Sequence, residues 1–341
     1  MFNFYDNAEN LAVVDALAKS SMVIPRYSNV AVSISGGSDS DIVLDMVEKT
    51  KGDAHVEYVW FDTGLEYQAT KDHLKYLEQK YGIQINRYKA VKPIPTCVKQ
   101  YGVPFLSKMV SQRLYTLQQQ NFKFEDKSLE VLKEEYPNLS VTALKWWCDV
   151  DGGVQQYRIS YNKWLKEFLI ENPPTFKIAN KCCEYAKKKV AKNFNKDFRI
   201  DLSVIGVRRA EGGIRATAYK SCYSEEHDDK IANFRPIFWL SDEDKKDYER
   251  QFGICHSACY TKYGLKRTGC VGCPYGRNVL DELEAVEKYE PKIYKACMNI
   301  FGESYEYTKK YRQFCLERNY QAKQNPDQLT FNDMFFDFAI S

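Results

Sequence analysis

Two glycines, three hydroxyl side chains and an acid follow the first apolar segment of the sequence. Residues 30–41 read VAVSISGGSDSD, in which small and β-branched residues stop at Ser-Gly-Gly-Ser-Asp-Ser. A glycine pair between a strand and a helix lets backbone amides approach an anion closely, and Asp39 could hold a Mg²⁺ ion that bridges phosphate oxygens. The alternative is a capped glycine turn, but a buried strand before it and an amphipathic helix after it favour phosphate binding. The predicted phosphate loop comprises Ser35, Gly36, Gly37, Ser38, Asp39 and Ser40.

Clustered cysteines form the second group that could do chemistry. The sequence has 11 cysteines, of which two are adjacent and two belong to a CVGC motif. Thiolates are soft ligands that suit zinc or an iron–sulfur cluster. The favoured metal ligands are Cys182, Cys183, Cys270 and Cys273.

Other ligand sets remain open at this stage. Cys255 and Cys259 precede the CVGC motif with the spacing C-x3-C-x10-C-x2-C, which by itself resembles a compact zinc or cluster site. His256, beside Cys255, is a further candidate ligand. Four ligands suffice for either kind of centre, so some of these cysteines have another role.

The overall composition is that of an ordinary soluble globular protein. The chain has 341 residues, a net charge of +3, 44% hydrophobic and 28% charged residues. This charge is too small to indicate nucleic-acid binding by itself. An apolar run of about 18 residues is absent, which predicts no membrane span, and the acidic start does not resemble a secretory signal. We therefore expect a cytoplasmic protein, where clustered cysteines indicate metal or redox chemistry rather than disulfides.

The elements that must position these residues alternate between strand and helix. Apolar strand patterns at 30–35, 56–61 and 83–88 are separated by helical patterns at 39–50 and 68–81. Strand–helix–strand spacing of this kind predicts right-handed crossovers and a parallel sheet. The predicted fold class is α/β, a doubly wound, mostly parallel sheet.

Later segments extend this pattern and add helices. A strand pattern resumes at 200–209, and 241–253 predicts a helix with Ser241 as N-cap. Helices are also expected at 105–120 and 157–171, and Trp146 and Trp147 are expected to pack in a core. The predicted domains are a nucleotide-binding part at 1–240 and a helical, cysteine-bearing part at 241–341.

Several motifs resemble one known superfamily. SISGGSDS (33–40) resembles the SGGxDS loop of the N-type ATP pyrophosphatases, the PP-loop superfamily. VWFDTGLEYQAT (59–70) resembles the FxDTGxxxxET segment of its phosphoadenylyl-sulfate (PAPS) reductase branch, and SVIGVRRAEGGIRA (203–216) resembles the GxRxxxxxxR stretch of that branch. The resemblance covers roughly residues 25–280 and implies an adenine nucleotide alpha hydrolase-like fold that binds ATP and Mg²⁺.

The resemblance also implies roles for individual residues. Asp39 and Arg208 are implied as catalytic, and Arg215 as a further anion-binding residue. Many sulfur-handling members of the superfamily have Lys at the fourth loop position, where this chain has Ser38, so a cation is missing there. Beyond the loop, the implied nucleotide-binding residues are Asp62, Thr63, Gly64, Arg208 and Arg209.

The cysteine pattern resembles a narrower group. Adjacent cysteines followed by CxxC, with PIFWLSDEDKKDYE (236–249) before the CxxC motif, resemble the iron–sulfur adenylyl-sulfate reductases. This implies a [4Fe–4S] cluster, with zinc as the alternative. These reductases carry a catalytic cysteine in a C-terminal ECGLH segment, and the sequence TFNDMFFDFAIS at the end of this chain differs from it.

Three functions follow from these patterns. The favoured one is an ATP-dependent adenylating or sulfur-transfer enzyme, with nucleic acid as a candidate substrate and a sulfur-donor protein as a candidate partner. The basic run KKKVAKNFNK (187–196) could contact a nucleic-acid backbone, although for that run alone a solvated helix face is the favoured explanation. The alternatives are a sulfonucleotide reductase that uses thioredoxin and a non-catalytic nucleotide-binding module. Homo-oligomerisation is left open.

Overall fold

The computed structural model describes residues 10–150, 155–212, 218–225 and 231–324. Contacts within the chain define two compact units. The first comprises the residues up to Cys97 together with Cys182–Cys273 and Asp281–Cys297. The second comprises Val98–Lys181, Pro274–Leu280 and the residues from Met298 onward.

A six-stranded sheet forms the centre of the first unit. Its strand order is β3-β2-β1-β4-β6-β5, and every pair is parallel except β5 with β6. This confirms the predicted α/β fold with a mostly parallel sheet. The strands are β1 (Val30–Ser33), β2 (Val56–Asp62), β3 (Ile85–Lys89), β4 (Leu202–Val204), β5 (Tyr223–Ser224) and β6 (Ala232–Phe234).

Helices connect and flank these strands. The helices observed at Ser38–Thr50 and Gln68–Tyr81 agree closely with those predicted at 39–50 and 68–81, and the second is followed by the expected glycine. In chain order the α-helices are α1 (Leu11–Val23), α2 (Ser38–Thr50), α3 (Gln68–Tyr81), α4 (Ile94–Tyr101), α5 (Lys108–Gln118), α6 (Leu129–Glu135), α7 (Val141–Trp147), α8 (Leu165–Glu171), α9 (Lys181–Cys183), α10 (Lys189–Asp197), α11 (Asp242–Phe252), α12 (Ala258–Thr261), α13 (Val279–Tyr289) and α14 (Pro291–Gln324), with a π-helical turn at Glu184–Lys188 between α9 and α10.

Both faces of the sheet are buried, as a doubly wound arrangement requires. In β1, Val30 and Val32 join the larger apolar core, whereas Ala31 points to the opposite face. There Ala31 packs in a smaller cluster with Val59 of β2 and Phe194 of α10. Because both faces are covered, the ends of the strands remain the places where polar side chains can meet a ligand.

The helix α11 belongs to the first unit. Its Tyr248 is fully buried in the core beside the sheet, and the Tyr248 hydroxyl donates a hydrogen bond to Asp45 at 2.6 Å. The Ser241 hydroxyl accepts from the Asp244 amide at 3.1 Å, which confirms the predicted N-cap. The two compact units therefore divide the chain differently from the expected boundary at residue 240.

The second unit has a separate, aromatic core. Trp146 and Trp147 are buried there, as expected. The Phe168 ring lies 4.9 Å from that of Tyr307, which in turn lies 4.8 Å from that of Phe105. Such tilted and edge-on ring pairs stabilise a core beyond the area that they bury.

The helix expected at 157–171 is present only in its second half, as α8. Two short 3₁₀ turns, Gln155–Tyr157 and Ile159–Tyr161, occupy the first half. Trp164 adopts a left-handed backbone with φ of +61°, which an α-helix does not tolerate, so the helix starts after it. In the described residues, no helix is long and apolar enough to cross a membrane.

Candidate functional site

The SGGSDS turn joins the end of β1 to the start of α2. Gly36 has a φ of +68°, and a Cβ placed on it would lie 2.7 Å from the Thr70 side chain. A Cβ on Gly37 would lie 3.0 Å from the Thr268 hydroxyl. Both the backbone conformation and the close neighbours therefore require glycine at position 36, and the lack of space favours it at position 37.

The amides of the turn bond to hydroxyl groups. The Gly37 amide donates to Ser40 Oγ at 3.1 Å and to Ser35 Oγ at 3.4 Å. The Ser38 amide donates to the Tyr260 hydroxyl at 3.1 Å, and Ser40 Oγ donates to the Gly37 carbonyl at 2.7 Å. The amides of Gly37 and Ser38 thus already donate to oxygen acceptors. Because hydroxyl groups can rotate away, phosphate oxygens could take their place.

The second wall of the site follows β4, the strand beside β1. A Cβ on Gly206 would lie 3.1 Å from the carbonyl carbon and oxygen of Asp39. The absence of a side chain thus lets the segment after β4 pass close to the start of α2. The strand order reverses between β1 and β4, and ligands of open parallel sheets bind at the carboxyl ends of strands at such a reversal.

Two cations converge on the carboxylate of Asp39. Arg208 is 6% exposed, and its Nε donates to Asp39 Oδ1 at 3.2 Å while its Nη1 donates to Asp242 at 2.8 Å. The Arg208 hydrogen bond holds the pKa of the Asp242 carboxyl below its ordinary value. Lys245 Nζ lies 2.7 Å from Asp39 Oδ1 and 2.5 Å from Ser38 Oγ. Sequence reasoning missed Lys245, since nothing in the local pattern of α11 shows which residue faces the loop.

These residues surround one cavity of about 220 Å³. Its basic side chains outnumber its acids, four to two, so the cavity favours an anion. Arg267 is paired with the acid Glu211 at 3.7 Å. The lining comprises Ser35, Gly37, Ser38, Asp39, Ser40, Gly206, Arg208, Glu211, Lys245, Tyr260, Lys266, Arg267 and Thr268.

The DTG segment after β2 lies outside the lining of this cavity. Arg87 Nε donates to the buried Asp62 carboxylate at 2.7 Å, and the Gly64 amide donates to the same carboxylate at 2.8 Å. Thr63 Oγ1 donates to Glu66 at 2.6 Å. In this structure Asp62, Thr63 and Gly64, expected to bind nucleotide, form a turn closed by internal hydrogen bonds.

Arg209, one of the expected anion-binding arginines, does not line the cavity. Arg209 is exposed, and its guanidinium lies over the Trp239 ring at 5.4 Å from the centroid. Arg215 lies outside the described residues. Arg208 is thus the arginine of this motif that the structure places against the loop.

The four favoured cysteines are near enough for three of them to influence the pKa of the fourth, Cys182. A hydrogen bond with Cys183, burial and the nearby thiols of Cys273 and Cys270 together raise the pKa of the Cys182 thiol. The mutual influence shows that residues from the start of α9 and from the CVGC motif come together in the first unit, although 86 residues separate the two pairs.

This cysteine group adjoins the turn after β2. Burial raises the pKa of the Cys270 thiol, while the positive charge of Lys187 opposes that rise and Glu66 adds to it. Thr63 hydrogen-bonds to the Cys270 thiol as well as to Glu66. The DTG turn therefore contacts the cysteine group through Thr63, whereas none of its residues lines the cavity beside the phosphate loop.

The other cysteines of the sequence motif are placed elsewhere. Cys255 is exposed, with its thiol 3.9 Å from the Gly253 carbonyl, and Cys259 is buried with its sulfur 3.8 Å from Thr70 Oγ1. The largest influences on the pKa values of Cys182 and Cys270 come from other groups. The structure thus groups 182, 183, 270 and 273 and separates 255 and 259 from them.

His256 has both ring nitrogens in hydrogen bonds. Nδ1 lies 2.8 Å from Asp41 and Nε2 lies 2.9 Å from Glu249. Burial would lower the pKa of His256, but the hydrogen bonds to the two carboxylates outweigh it and raise the pKa to about 9. This histidine is a charged link between two acids, which leaves it no nitrogen for a metal.

Comparisons with known proteins agree with the resemblance seen in the sequence. Residues 29–107 match the family model of the phosphoadenosine phosphosulfate reductase domain, which confirms the PAPS reductase-like character of that part. An uncharacterized protein of Methanocaldococcus jannaschii is 24% identical over 274 residues, which are 80% of this chain and 42% of that protein. The chain therefore spans less than half the length of this curated relative.

Two solved structures show similarity at low identity. The PAPS reductase of Candida auris in its phosphate complex has a TM-score of 0.42 and 15% identity, covering 75% of this chain and 88% of that one. The U34-tRNA thiolase NcsA of Methanococcus maripaludis, solved with its [4Fe–4S] cluster, has a TM-score of 0.39 and 13% identity, covering 90% of this chain and 81% of that one.

Proposed function

We propose that this chain is an ATP-dependent adenylating enzyme of the sulfur-transfer type, with the polyphosphate of ATP–Mg²⁺ in the cavity beside the SGGSDS turn. The observation that carries the proposal is the combination of a glycine turn with the buried Arg208, which hydrogen-bonds to Asp39 and Asp242, at the reversal of strand order. An oxygen of the acceptor attacks the α-phosphorus, and the bond from that phosphorus to the bridging oxygen breaks, so pyrophosphate leaves with the electron pair.

The cavity side chains have distinct parts in this reaction. Backbone amides of Gly37 and Ser38 bind phosphate oxygens, and Arg208 stabilises the charge that develops on the leaving pyrophosphate. Asp39 is the residue that would hold Mg²⁺, which supplies charge neutralisation when bound. Positioning and charge stabilisation supply most of the rate in such phosphoryl chemistry.

The cysteine group is proposed to hold a [4Fe–4S] cluster. Within the described ranges, no three His, Cys, Asp or Glu side chains are arranged as ligands of a single metal ion. Four thiols are a donor set that both zinc and a [4Fe–4S] cluster accept, and the cluster is proposed because the cysteine pattern resembles that of iron–sulfur proteins. A bound cluster would supply sulfur-carrying or electron-transfer chemistry.

Metal analysis of anaerobically purified protein tests this assignment. We expect about four irons per chain and a broad absorbance band near 400 nm, typical of iron–sulfur proteins. One zinc per chain, without that band, would replace the cluster with a structural metal site.

A basic helix face supports nucleic acid as the acceptor. Lys188, Lys192 and Lys196 are exposed at a spacing of four residues, opposite the buried Val190 and Phe194. Phosphate backbones bind such stripes through lysines, with affinity that falls steeply as salt rises. Only the π-helical turn at Glu184–Lys188 separates this helix from Cys182 and Cys183, so an acceptor bound along it would lie near the cysteine group.

Substitution of the stripe tests the acceptor. The double variant Lys192→Glu/Lys196→Glu should weaken tRNA or single-stranded RNA binding at least about 10-fold and reduce the salt slope by about two. Lys246→Glu, which changes an exposed lysine on α11, is the control. Equal RNA binding by both variants would remove the nucleic-acid proposal.

The central experiment measures ATP chemistry directly. Binding of ATP–Mg²⁺ and of pyrophosphate is followed by calorimetry, and formation of AMP and pyrophosphate is followed with total tRNA present. Binding with turnover supports the adenylating enzyme, whereas binding without any turnover supports the non-catalytic module. Turnover that instead requires adenylyl sulfate and thioredoxin would identify a sulfonucleotide reductase. If neither ATP nor pyrophosphate binds, the proposed site is wrong.

A further inference from the structure

The phosphate loop obtains a positive charge from a distant part of the chain. The loop residues 35–40 include no lysine or arginine, and position 38 carries an uncharged serine. In the structure, the Lys245 ammonium lies 2.5 Å from Ser38 Oγ, although 207 residues separate the two in sequence. Lys245 lines the same cavity as the loop. The side-chain nitrogen therefore lies next to the position whose own side chain lacks a charge.

Several contacts hold Lys245 in this position. Its side chain is only 14% exposed, between Asp39 Oδ1 at 2.7 Å and Glu249 Oε1 at 3.8 Å. The helix that carries it is anchored at its start by the Ser241 cap and in its middle by the fully buried Tyr248. A lysine confined in this way loses little further conformational entropy when it binds an anion, which favours binding.

Glu249 is itself part of a charged chain that extends away from the cavity. It accepts a hydrogen bond from His256, which also bonds to the buried Asp41, and Asp41 bonds to His73 at 3.0 Å. Because Glu249 is already bonded to His256, it is a weaker competitor for the Lys245 ammonium. This arrangement directs Lys245 toward the loop rather than along its own helix.

We propose that Lys245 is the residue that supplies the missing loop cation, and that it binds the terminal phosphates of a polyphosphate ligand. The inference rests on the proposed polyphosphate site and names a specificity-determining residue for it. In the ligand-free arrangement, Asp39 and Ser38 serve as its partners. A pyrophosphate group carries more negative charge than one carboxylate, so it displaces Asp39 as the main partner of Lys245.

Exchanging the position of the charge is the direct test. Binding of inorganic pyrophosphate to the full chain is measured by calorimetry at low ionic strength, where charge contributions are least screened. Lys245→Met should weaken binding at least about 10-fold, as expected for a lost charge-assisted hydrogen bond. Lys246→Met is the matched control, because Lys246 is 64% exposed and pairs with Glu243 on the same helix, and it should change affinity less than about 2-fold.

The double variant Ser38→Lys/Lys245→Met removes the positive charge from α11 and places one in the loop, at position 38. We expect it to regain affinity to within about 3-fold of the wild type, since position 38 is where the Lys245 ammonium lies, 2.5 Å from Ser38 Oγ. Thermal melting of each variant checks that the fold is intact.

The outcomes separate this inference from the function on which it rests. If wild-type protein binds pyrophosphate and Lys245→Met binds equally well, the role of Lys245 is refuted while the polyphosphate site stands. If Lys245→Met loses binding and Ser38→Lys does not restore it, the charge-replacement account is likewise refuted. If the wild type does not bind pyrophosphate, the proposed function fails and the inference fails with it.

Discussion

The phosphate-loop cavity and the cysteine group lie in the same unit but are stabilised in opposite ways. In the cavity, cations and acids are already paired: Arg208 and Lys245 both contact Asp39, at 3.2 and 2.7 Å. In the cysteine group, thiols adjoin other thiols, and the pKa of the Cys182 thiol is raised by its neighbours. The cavity is thus a complete charge network that an anion can enter, whereas the cysteines form a donor set that a metal centre would complete.

This comparison predicts that the two regions respond independently to substitution. Removing one thiol should impair the proposed metal centre without affecting the proposed anion site. We expect Cys270→Ala to lower the iron content well below about four atoms per chain, because the proposed cluster loses one of its four thiolate ligands. Pyrophosphate affinity should stay within about 3-fold of the wild type. The measurements are iron analysis and calorimetry under anaerobic conditions.

Cys255→Ala is the matched control, because Cys255 is exposed and lies apart from the group. It should retain the full iron content. Loss of iron in Cys255→Ala with retention in Cys270→Ala would show that the compact C-x3-C motif, rather than the group seen here, binds the metal.

Two adjacent arginines provide the next largest contrast. Arg208 is buried and bonds to Asp39 and Asp242, whereas Arg209 is exposed over Trp239. Arg208→Met should weaken pyrophosphate binding about 100-fold, since a bidentate charged donor is lost, and Arg209→Met should change it less than about 2-fold. Iron content should be the same in both. A larger effect of Arg209→Met would restore the sequence expectation that this arginine binds the nucleotide.

The charge network beside the cavity should also make folding stability depend on pH. The pKa of His256 is raised to about 9 in the folded protein by Asp41 and Glu249, whereas an unfolded histidine has a pKa of about 6.5. The folded state therefore binds the proton more tightly. Its stabilisation is fully present below pH 6.5 and is lost as pH rises through about 9, by at most about 3 kcal/mol.

Urea unfolding of wild type and His256→Gln at pH 6.5 and pH 9.5 tests this. The free energy of unfolding should fall more between these two pH values for the wild type than for the variant, because the variant has no titrating group at position 256. Parallel losses in both proteins would show that His256 is not held as a charged link. The cysteine group is not expected to contribute to this difference, since both proteins contain it.

The smallest predicted effect separates close contact from backbone strain at the loop. Gly36 and Gly82 have similar φ values, +68° and +63°, but only at Gly36 would a Cβ meet another atom, Thr70 Cγ2 at 2.7 Å. Gly82→Ala should lower the free energy of unfolding by about 1 kcal/mol, from the left-handed conformation alone. Gly36→Ala should cost about 2 kcal/mol and weaken pyrophosphate binding as well. Equal losses of unfolding free energy in the two variants would mean that the loop can move away from Thr70, and that this contact does not fix its conformation.

Local sequence patterns predicted most of the framework that carries the site. The periodicity of residues 68–81 and the glycine that follows them predicted α3 to the residue, because caps and helical period depend on near neighbours. The capped helix α11 was predicted equally well. The helix at 157–171 was not, since a left-handed Trp164 interrupts it and nothing in the residue types signals that conformation.

The site itself was only partly accessible from sequence. The glycine loop and Arg208 were anticipated, because a glycine pair after a strand and arginines after another strand are local signals. Lys245 was not, and Asp62 was expected to bind nucleotide although the structure pairs it with Arg87. Both differences arise from contacts between segments that are far apart along the chain.

The sequence by itself determined the strand–helix alternation, the turn conformations and the supply of thiols, because these depend on residue type and on neighbours within a few positions. The tertiary structure alone decided which lysine reaches Ser38 and that Arg87 takes the Asp62 carboxylate. The strand order brings the segment after β4 beside the loop after β1, and the packing of Tyr248 orients α11 toward it. Such choices depend on the combined packing of the whole unit, and no local pattern encodes them.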